Sequence, residues 1–442
     1  MKDGPSQRHT SPGYHSYKAE PMTNPSLHAR RRRRPRRCWS AAFAGLIASS
    51  CTGGGDRVAL PTSRVITTAS IMQATVAGTG IDDALIRAAW DNDLDRARQL
   101  ISAGADVNHE DDTQQSAYLI ATSEGHQELL ELTLDHGADV TALDSYNGTG
   151  LIRAAERGHA AIVGRLLRTD IDVDHVNNLG WTALHEAIIL GDGSERYGDT
   201  VRLLVAGGAD VELAARRDHV APIQLAESRN QTTIARTLRA ALGATSTGAP
   251  NAELLAAATE GDADRAAMAI RAGADIETRD AQARTPLLLA ATHDRLDVAR
   301  LLVALGADPD ALDDAHDTPW LVTGVTGSVA MADPLLVAGP DLTITNRYGG
   351  VSIIPASERG HVDYVRRVAG TAINVNHVND LGWTALLEAV ILGDGSDPYQ
   401  KIVRILLDAG ADPAIGDRGG LTALDHARDS GQDVIADILT NR

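Results

Sequence analysis

Aromatic side chains are scarce in this chain of 442 residues: 3% of the total, with a single phenylalanine, Phe43. A large core built on stacked rings is thereby excluded. The 43% of residues that are hydrophobic must bury mainly as Ala, Leu, Val and Ile, which suits thin layers of closely packed helices. Cysteine is nearly absent. Cys38 and Cys51 are too few for a disulfide framework or a four-cysteine metal site. No apolar run reaches the ~20 residues that a spanning helix needs, which excludes a multi-span membrane protein. Phosphate-cradling and dinucleotide-type glycine patterns are missing too, and no serine stands in a nucleophile elbow.

Charge is unevenly placed. Residues 1–50 hold ten Lys/Arg against two Asp/Glu, whereas the remainder holds 31 against 57. Seven of the ten form the block Arg30–Arg34, Arg36 and Arg37. Alone, such a block reads as a nucleic-acid arm or a solvated tail. Here it runs into the apolar stretch Trp39–Ala48, then Ser49-Ser50-Cys51 and Thr52-Gly53-Gly54-Gly55. Basic residues, about ten apolar residues and small residues before a cleavage point make a secretory signal. Leu46–Cys51 resembles the lipobox of bacterial lipoproteins, with Ala48 where that motif usually has leucine. The resemblance implies acylation of Cys51, which would become the mature N-terminus. An ordinary cleaved signal and a cytosolic protein with a basic arm stay open as alternatives. Nucleic-acid binding is not expected, because export removes the arm and the acidic remainder repels phosphates. The stretch before Met22 makes the leader overlong, and a start at Met22 gives one of ordinary length.

The rest of the chain repeats itself. Gly-Ala-Asp occurs at Gly104–Asp106, Gly137–Asp139, Gly208–Asp210, Gly273–Asp275, Gly306–Asp308 and Gly410–Asp412, in places 33 residues apart. A helical stripe precedes each, such as Val298–Val303 or Ile402–Leu407. A helix start of the form Thr-Pro-Leu or Thr-Ala-Leu follows, as at Thr182, Thr285 and Thr422. Threonine at a helix start caps free backbone N–H groups, and proline fits the first turn. The glycine falls where a left-handed residue closes a helix. One such unit cannot bury its apolar face alone, so units stack.

The run Thr285–Asp308 resembles the ankyrin repeat nearly throughout, and the resemblance covers residues 82–442, about eleven units. It implies an all-α ankyrin-repeat solenoid of stacked helix-turn-helix units. A larger duplication overlies the short period: His175–Tyr197 returns as His377–Tyr399 with 18 of 23 positions identical. The same offset maps Tyr146 onto Tyr348 and Trp181 onto Trp383. The organisation expected is therefore a basic segment and lipoprotein-type signal over 1–51, then a tether over 52–81 with room for one degenerate capping helix. A first array over 82–241, a turn-rich linker over 242–250 and a second array over 251–442 complete it. Arg168 and Pro340 disturb the usual unit ending, and Asp314–Gly339 matches weakly. The loops Gly191–Tyr197 and Gly393–Tyr399 delay the second helix of their units.

Several residues invite a chemical reading and receive a structural one. His126, His159 and His361 each follow glycine; in the ankyrin family such histidines bond backbone between repeats. His185-Glu186 opens a helix, but no histidine follows four residues later to complete a metal pair. Asp192–Glu195 and Asp394–Asp397 are short acidic loops, whereas calcium takes about six to eight oxygens. Trp320 and Tyr118 replace a core leucine and are read as packing. Cys51 is the one candidate for covalent chemistry, through its lipid.

Partner binding carries the expectation instead. In the ankyrin family, turn tips and first helices line a concave contact surface. Trp181 and Trp383 fall between the turn glycine and the capping threonine, Tyr146 and Tyr348 occupy turns, and Trp90 lies on the outer part of a first helix. Exposed aromatics anchor interfaces, although the same rings could brace neighbouring turns. The expectation is a non-catalytic scaffold, lipid-anchored outside the cytoplasm, that binds a protein partner with basic features. It has no cofactor, no metal, no small-molecule substrate and no pocket for turnover. The alternatives are a cytosolic interaction protein with a basic arm and a targeting array of an unrecognised enzyme.

Overall fold

The computed structural model describes residues 68–243 and 248–441, with side chains from residue 80 onward. The basic segment, Cys51 and the first part of the 52–81 stretch lie outside the described residues. The described residues gather into one compact unit.

Helices and turns account for almost all of it; the strand-like pairing among the described residues is a single bridge, Leu143 to Thr149. The helices come in pairs. The first five pairs are α1 (Thr68–Asp91) with α2 (Leu94–Ser102), α3 (Ala117–Glu124) with α4 (Gln127–Asp135), α5 (Gly150–Arg157) with α6 (Ala160–Leu166), α7 (Ala183–Ile189) with α8 (Glu195–Ala206), and α9 (Pro222–Ser228) with α10 (Thr232–Gly243). After the linker come α11 (Pro250–Glu260) with α12 (Ala263–Arg271), α13 (Pro286–Thr292) with α14 (Leu296–Ala304), and α15 (Pro319–Thr326) with α16 (Val329–Val337). The last three are α17 (Ile353–Glu358) with α18 (Val362–Ala369), α19 (Ala385–Ile391) with α20 (Asp397–Asp408), and α21 (Ala423–Asp429) with α22 (Asp433–Thr440). Eleven pairs make the all-α solenoid that the spacing implies. Helix α1 begins inside the 52–81 stretch, where the sequence leaves room for a capping helix.

Local chemistry explains many of the boundaries. Thr182, Thr285, Thr318, Thr384 and Thr422 cap their helices through the side-chain oxygen, satisfying donors that the helix itself leaves free. All six Gly-Ala-Asp glycines have positive φ, from 83° to 97°; a side chain there would be strained. Gly339 keeps the same conformation (φ 74°) ahead of Pro340, so the weakly matching stretch still folds as α15 and α16. Where Arg168 and Thr169 replace the glycine, the Thr169 hydroxyl bonds the Leu166 carbonyl at 2.6 Å and closes the helix another way.

First helices stack in series from α1 through α9, and again from α11 through α21. The core is the aliphatic seam between layers, Ala, Leu, Ile and Val throughout. Tyr118 and Trp320 are fully buried in it, and Trp320 lies 6.4 Å from the Tyr364 ring.

At the linker the arrangement changes. Helix α12 packs on α8 and α10, and α14 packs on α6 and α8. The second array therefore runs back along the first, second helices against second helices. Gly164 permits the approach: a Cβ on it would stand 2.5 Å from the Ala304 carbonyl oxygen. Arg202, 5% exposed, bonds Asp264 at 3.0 Å, and Asp264 also takes Arg236 at 2.8 Å and the Thr237 hydroxyl at 2.8 Å. Arg271 donates to the carbonyls of Val205 (3.0 Å) and Ala209 (2.8 Å) at the end of α8. Arg300 of α14 pairs with Glu195 and, at 3.2 Å, with Asp199.

Candidate functional site

The turns that hold the candidate aromatics are each built on one carboxylate or amide. Asp144 accepts from the backbone of Tyr146 and Gly148, both at 2.8 Å, and Asn177 accepts from Leu179 (2.9 Å) and Trp181 (3.1 Å). Asn346 and Asn379 do the same for the turns holding Tyr348 and Trp383. The residue two places after the anchor is thrown outward. Hence Tyr146 is 59% exposed and Tyr348 55%.

Neighbouring turns are tied together. The Asn178 amide donates to the Tyr146 carbonyl at 2.9 Å, and the Asp380 amide to that of Tyr348 at the same distance. His175 and His377 each reach back to a carbonyl of the preceding turn, Asn147 and Gly349, at 2.7 Å. The structure thus places Tyr146 and Trp181, and likewise Tyr348 and Trp383, on adjacent turns linked through the backbone. Both tryptophans are half-buried, and Trp383 rests on the hydrophobic core. Trp90, 48% exposed, stands apart at the end of α1.

Beneath each aromatic pair lies a buried carboxylate that the repeat pattern marks only as packing. Asn177 donates from its amide to Glu186 at 2.7 Å, and Asn379 to Glu388 at 2.7 Å. The two glutamates are 3% and 5% exposed. Burial pushes Glu186 up to about 7, against the Asn177 hydrogen bond and with help from nearby Glu156. Burial likewise takes Glu388 up to about 7, reinforced by Glu358. The recurrence of Asn and Glu nine residues apart, at both copies of the duplication, was the available signal.

The remaining candidates take structural places. His159 and His361 meet the carbonyls of Ser123 and Val325 in the preceding unit, each at 3.1 Å. His185 closes a capping box with Thr182. In the acidic loops, Asp192 and Asp394 accept from Ser194 (2.9 Å) and Ser396 (3.0 Å) just before α8 and α20. Cys51 lies outside the described residues.

Contrary to the expectation of a stack without a pocket, a cleft of about 1240 Å³ opens where the two arrays diverge, between α4 and α6 on one side and α14 and α16 on the other. Two sets of its ionisable groups are engaged with one another. Arg165 holds both oxygens of Glu131 at 2.8 Å, and Asp199 is shared by Arg202 (2.7 Å) and Arg300. Burial raises the Asp199 carboxyl and the two arginines oppose that. These charges tie helices together. Among the described residues, no three His, Cys, Asp or Glu side chains gather into a group able to hold a metal ion. Regular repeat spacing gives no notice of the cleft. In the structure every residue of α8 from Val201 to Ala206 is buried, more than one stripe of an amphipathic helix covers, because the second array packs on its other face.

Family profiles described as ankyrin repeats (3 copies) match residues 85–175, 119–215 and 151–247, and the single ankyrin repeat profile matches 283–314 and 381–418. The ankyrin repeat protein YahD of Escherichia coli (strain K12) is 39% identical over 189 residues, which are 42% of this chain and 94% of YahD. A crystal structure of an ankyrin repeat domain from Acinetobacter baumannii AYE is 43% identical, with a TM-score of 0.42; the match covers 42% of this chain and 96% of that one. Glycerophosphocholine phosphodiesterase gde1 of Schizosaccharomyces pombe (strain 972 / ATCC 24843) is 33% identical over 94 residues, which are 21% of this chain and only 8% of gde1.

Proposed function

The chain belongs to the ankyrin-repeat family, and from that premise we propose that it is a non-catalytic scaffold, lipid-anchored through Cys51 outside the cytoplasm, that binds a partner protein on its turn tips and first helices. The observation that carries the binding role is the recurrence, in both arrays, of an exposed tyrosine and a half-buried tryptophan on adjacent turns linked through the backbone. In a chain so poor in aromatics, rings displayed on the turn tips of a stack are suited to anchoring an interface. The partner is expected to carry basic groups, since residues 51–442 hold 57 acids against 31 bases. The Arg165–Glu131 and Asp199–Arg300 pairs of the cleft serve as ties between helices, which favours scaffolding over turnover.

Two measurements test this reading. Trp181→Ala with Trp383→Ala, and separately Tyr146→Ala with Tyr348→Ala, should leave the helical circular dichroism unchanged and lower partner recovery in pull-downs at least tenfold. Unchanged recovery with both double variants removes these residues as anchors. Anchoring is read from radiolabelled fatty acid on Cys51 and from globomycin-sensitive processing. An unlabelled, cytosolic chain would favour the second reading, which rests on the arginine block at 30–37: a cytosolic interaction protein with a basic arm.

A further inference from the structure

In four units the residue that anchors the turn meets a side chain of the first helix, nine residues further on. Asp144 faces Arg153 at 3.3 Å, and Asp417 faces His426 at 3.0 Å. There an acidic anchor meets a basic side chain. Asn177 and Asn379 meet acids instead, Glu186 and Glu388, each at 2.7 Å. An aspartate could not serve at these two anchors, because it accepts without donating and would set two carboxylates together. Asparagine divides its amide between two tasks. In the first array Oδ1 takes the backbone of Leu179 and Trp181 at 2.9 and 3.1 Å, while Nδ2 donates to Glu186. In the second, Oδ1 takes Leu381 and Trp383, both at 3.0 Å, while Nδ2 donates to Glu388. Turn and carboxyl share one side chain.

Among the described residues, that amide is the one hydrogen-bond donor to either carboxyl. The second oxygen of Glu186 is buried without a partner. A buried carboxyl served so sparsely is stable when neutral and costly when charged. The charges acting on Glu186 are Glu156, Arg153 and Asp144, and those acting on Glu388 are Glu358 and Arg359. On the other helices packed against α7 and α19, Asp199 and Arg202 of α8 pair with each other and Glu227 of α9 pairs with Arg239. Asp397 of α20 pairs with Lys401, and Asp425 of α21 caps its own helix at Thr422. His175 and His377 stand on the same turns as the asparagines, and His185 caps α7.

We propose that Glu186 and Glu388 are proton latches on the turns that carry Trp181 and Trp383. Neutral, each leaves its asparagine holding the turn closed. Ionised, each favours an open turn, because parting a surface turn wets the charge while the helix stays in its stack. With both carboxyls raised to about 7 by burial, the turns are held fully below pH 4.5 and loosen as pH rises through 7. A partner seated on them would be held more firmly on the acid side. That consequence rests on the binding role proposed above; the latch does not.

Amide hydrogen exchange of the full chain, read by mass spectrometry with no partner present, tests the latch. Glu186→Gln with Glu388→Gln keeps an acceptor for each asparagine, removes the ionisation and leaves the three histidines in place. At pH 8 the turns at 177–181 and 379–383 should exchange at least about tenfold faster in the parent than in this variant. At pH 4.5 the two proteins should match. The turn at 280–284, whose Asp280 anchor has the buried Leu289 nine residues on, should match at both pH values. Asn177→Ala with Asn379→Ala removes the acceptor and should leave both turns unprotected at either pH. Equal exchange of the parent and the glutamine variant at pH 8, or a difference shared by the turn at 280–284, overturns the latch. Protection that survives loss of the asparagines overturns it too. Partner recovery by the aromatic variants has no bearing on these rates, so the binding role and the latch fail separately.

Discussion

Glu186 and Glu388 set a pH dependence that a solenoid of aliphatic seams would otherwise lack. Each is held near 7 by burial, above the ordinary glutamate value of 4.5. The native state then binds protons more tightly than the unfolded chain, so the stability these groups confer is complete below pH 4.5 and is lost as pH rises through 7. The facing groups are Asp144, Arg153 and Glu156 for the first, and Glu358 and Arg359 for the second. A tenfold change in proton affinity is worth ~1.4 kcal/mol, so ionising each buried glutamate costs about 3 kcal/mol. Glu186→Gln with Glu388→Gln keeps an acceptor for each asparagine and removes the ionisation. Urea unfolding should show the double variant about 6 kcal/mol more stable than the parent at pH 8, and similar to it at pH 4.5. Equal pH dependence in both proteins would contradict this. At this scale caps, glycines and the histidines His159 and His361 are legible in the sequence, because each acts within its own unit or on the one before it. The burial of Glu186 is not, because the unit before it supplies the cover.

Among the helices, α8 carries the most contacts with distant sequence. It supports its own repeat through Leu204 and meets the second array through Arg202 and its terminal carbonyls. Although burial acts to raise the Asp264 carboxyl, the bonds from Arg236, Arg202 and Thr237 hold it below the usual range. Removing one side of a buried pair leaves the other uncompensated, at a cost of about 3–5 kcal/mol. Asp264→Ala should therefore lower urea stability by about 2–4 kcal/mol, softened because Arg202 keeps Asp199; Asp264→Leu combined with Arg202→Met should recover most of the loss. A single variant as stable as the parent would show the tie to be incidental. The sequence announces this helix and its late start after Gly191. It does not announce the second buried face, since an apolar run reads the same whether it meets solvent or another helix.

For the whole molecule, the 33-residue period and the 202-residue offset disclose the units, their number and their equivalence. They do not disclose the fold-back, because a period describes neighbours and the fold-back joins units far apart. A protease site placed between Gly243 and Pro250 tests it. After cleavage the two halves should elute together in gel filtration at low salt, held by α8, α12 and α14; two separate peaks would show that the linker alone joins them.

The doubling back also limits how such a chain evolves. A simple array gains or sheds a unit anywhere, since each unit answers only to the next. Here Gly164 must keep facing Ala304, and Arg202 must keep facing Asp264. Inserting one unit between these partners on a single side would put every crossed pair out of step, so growth in length is confined to the ends, beyond the braced middle.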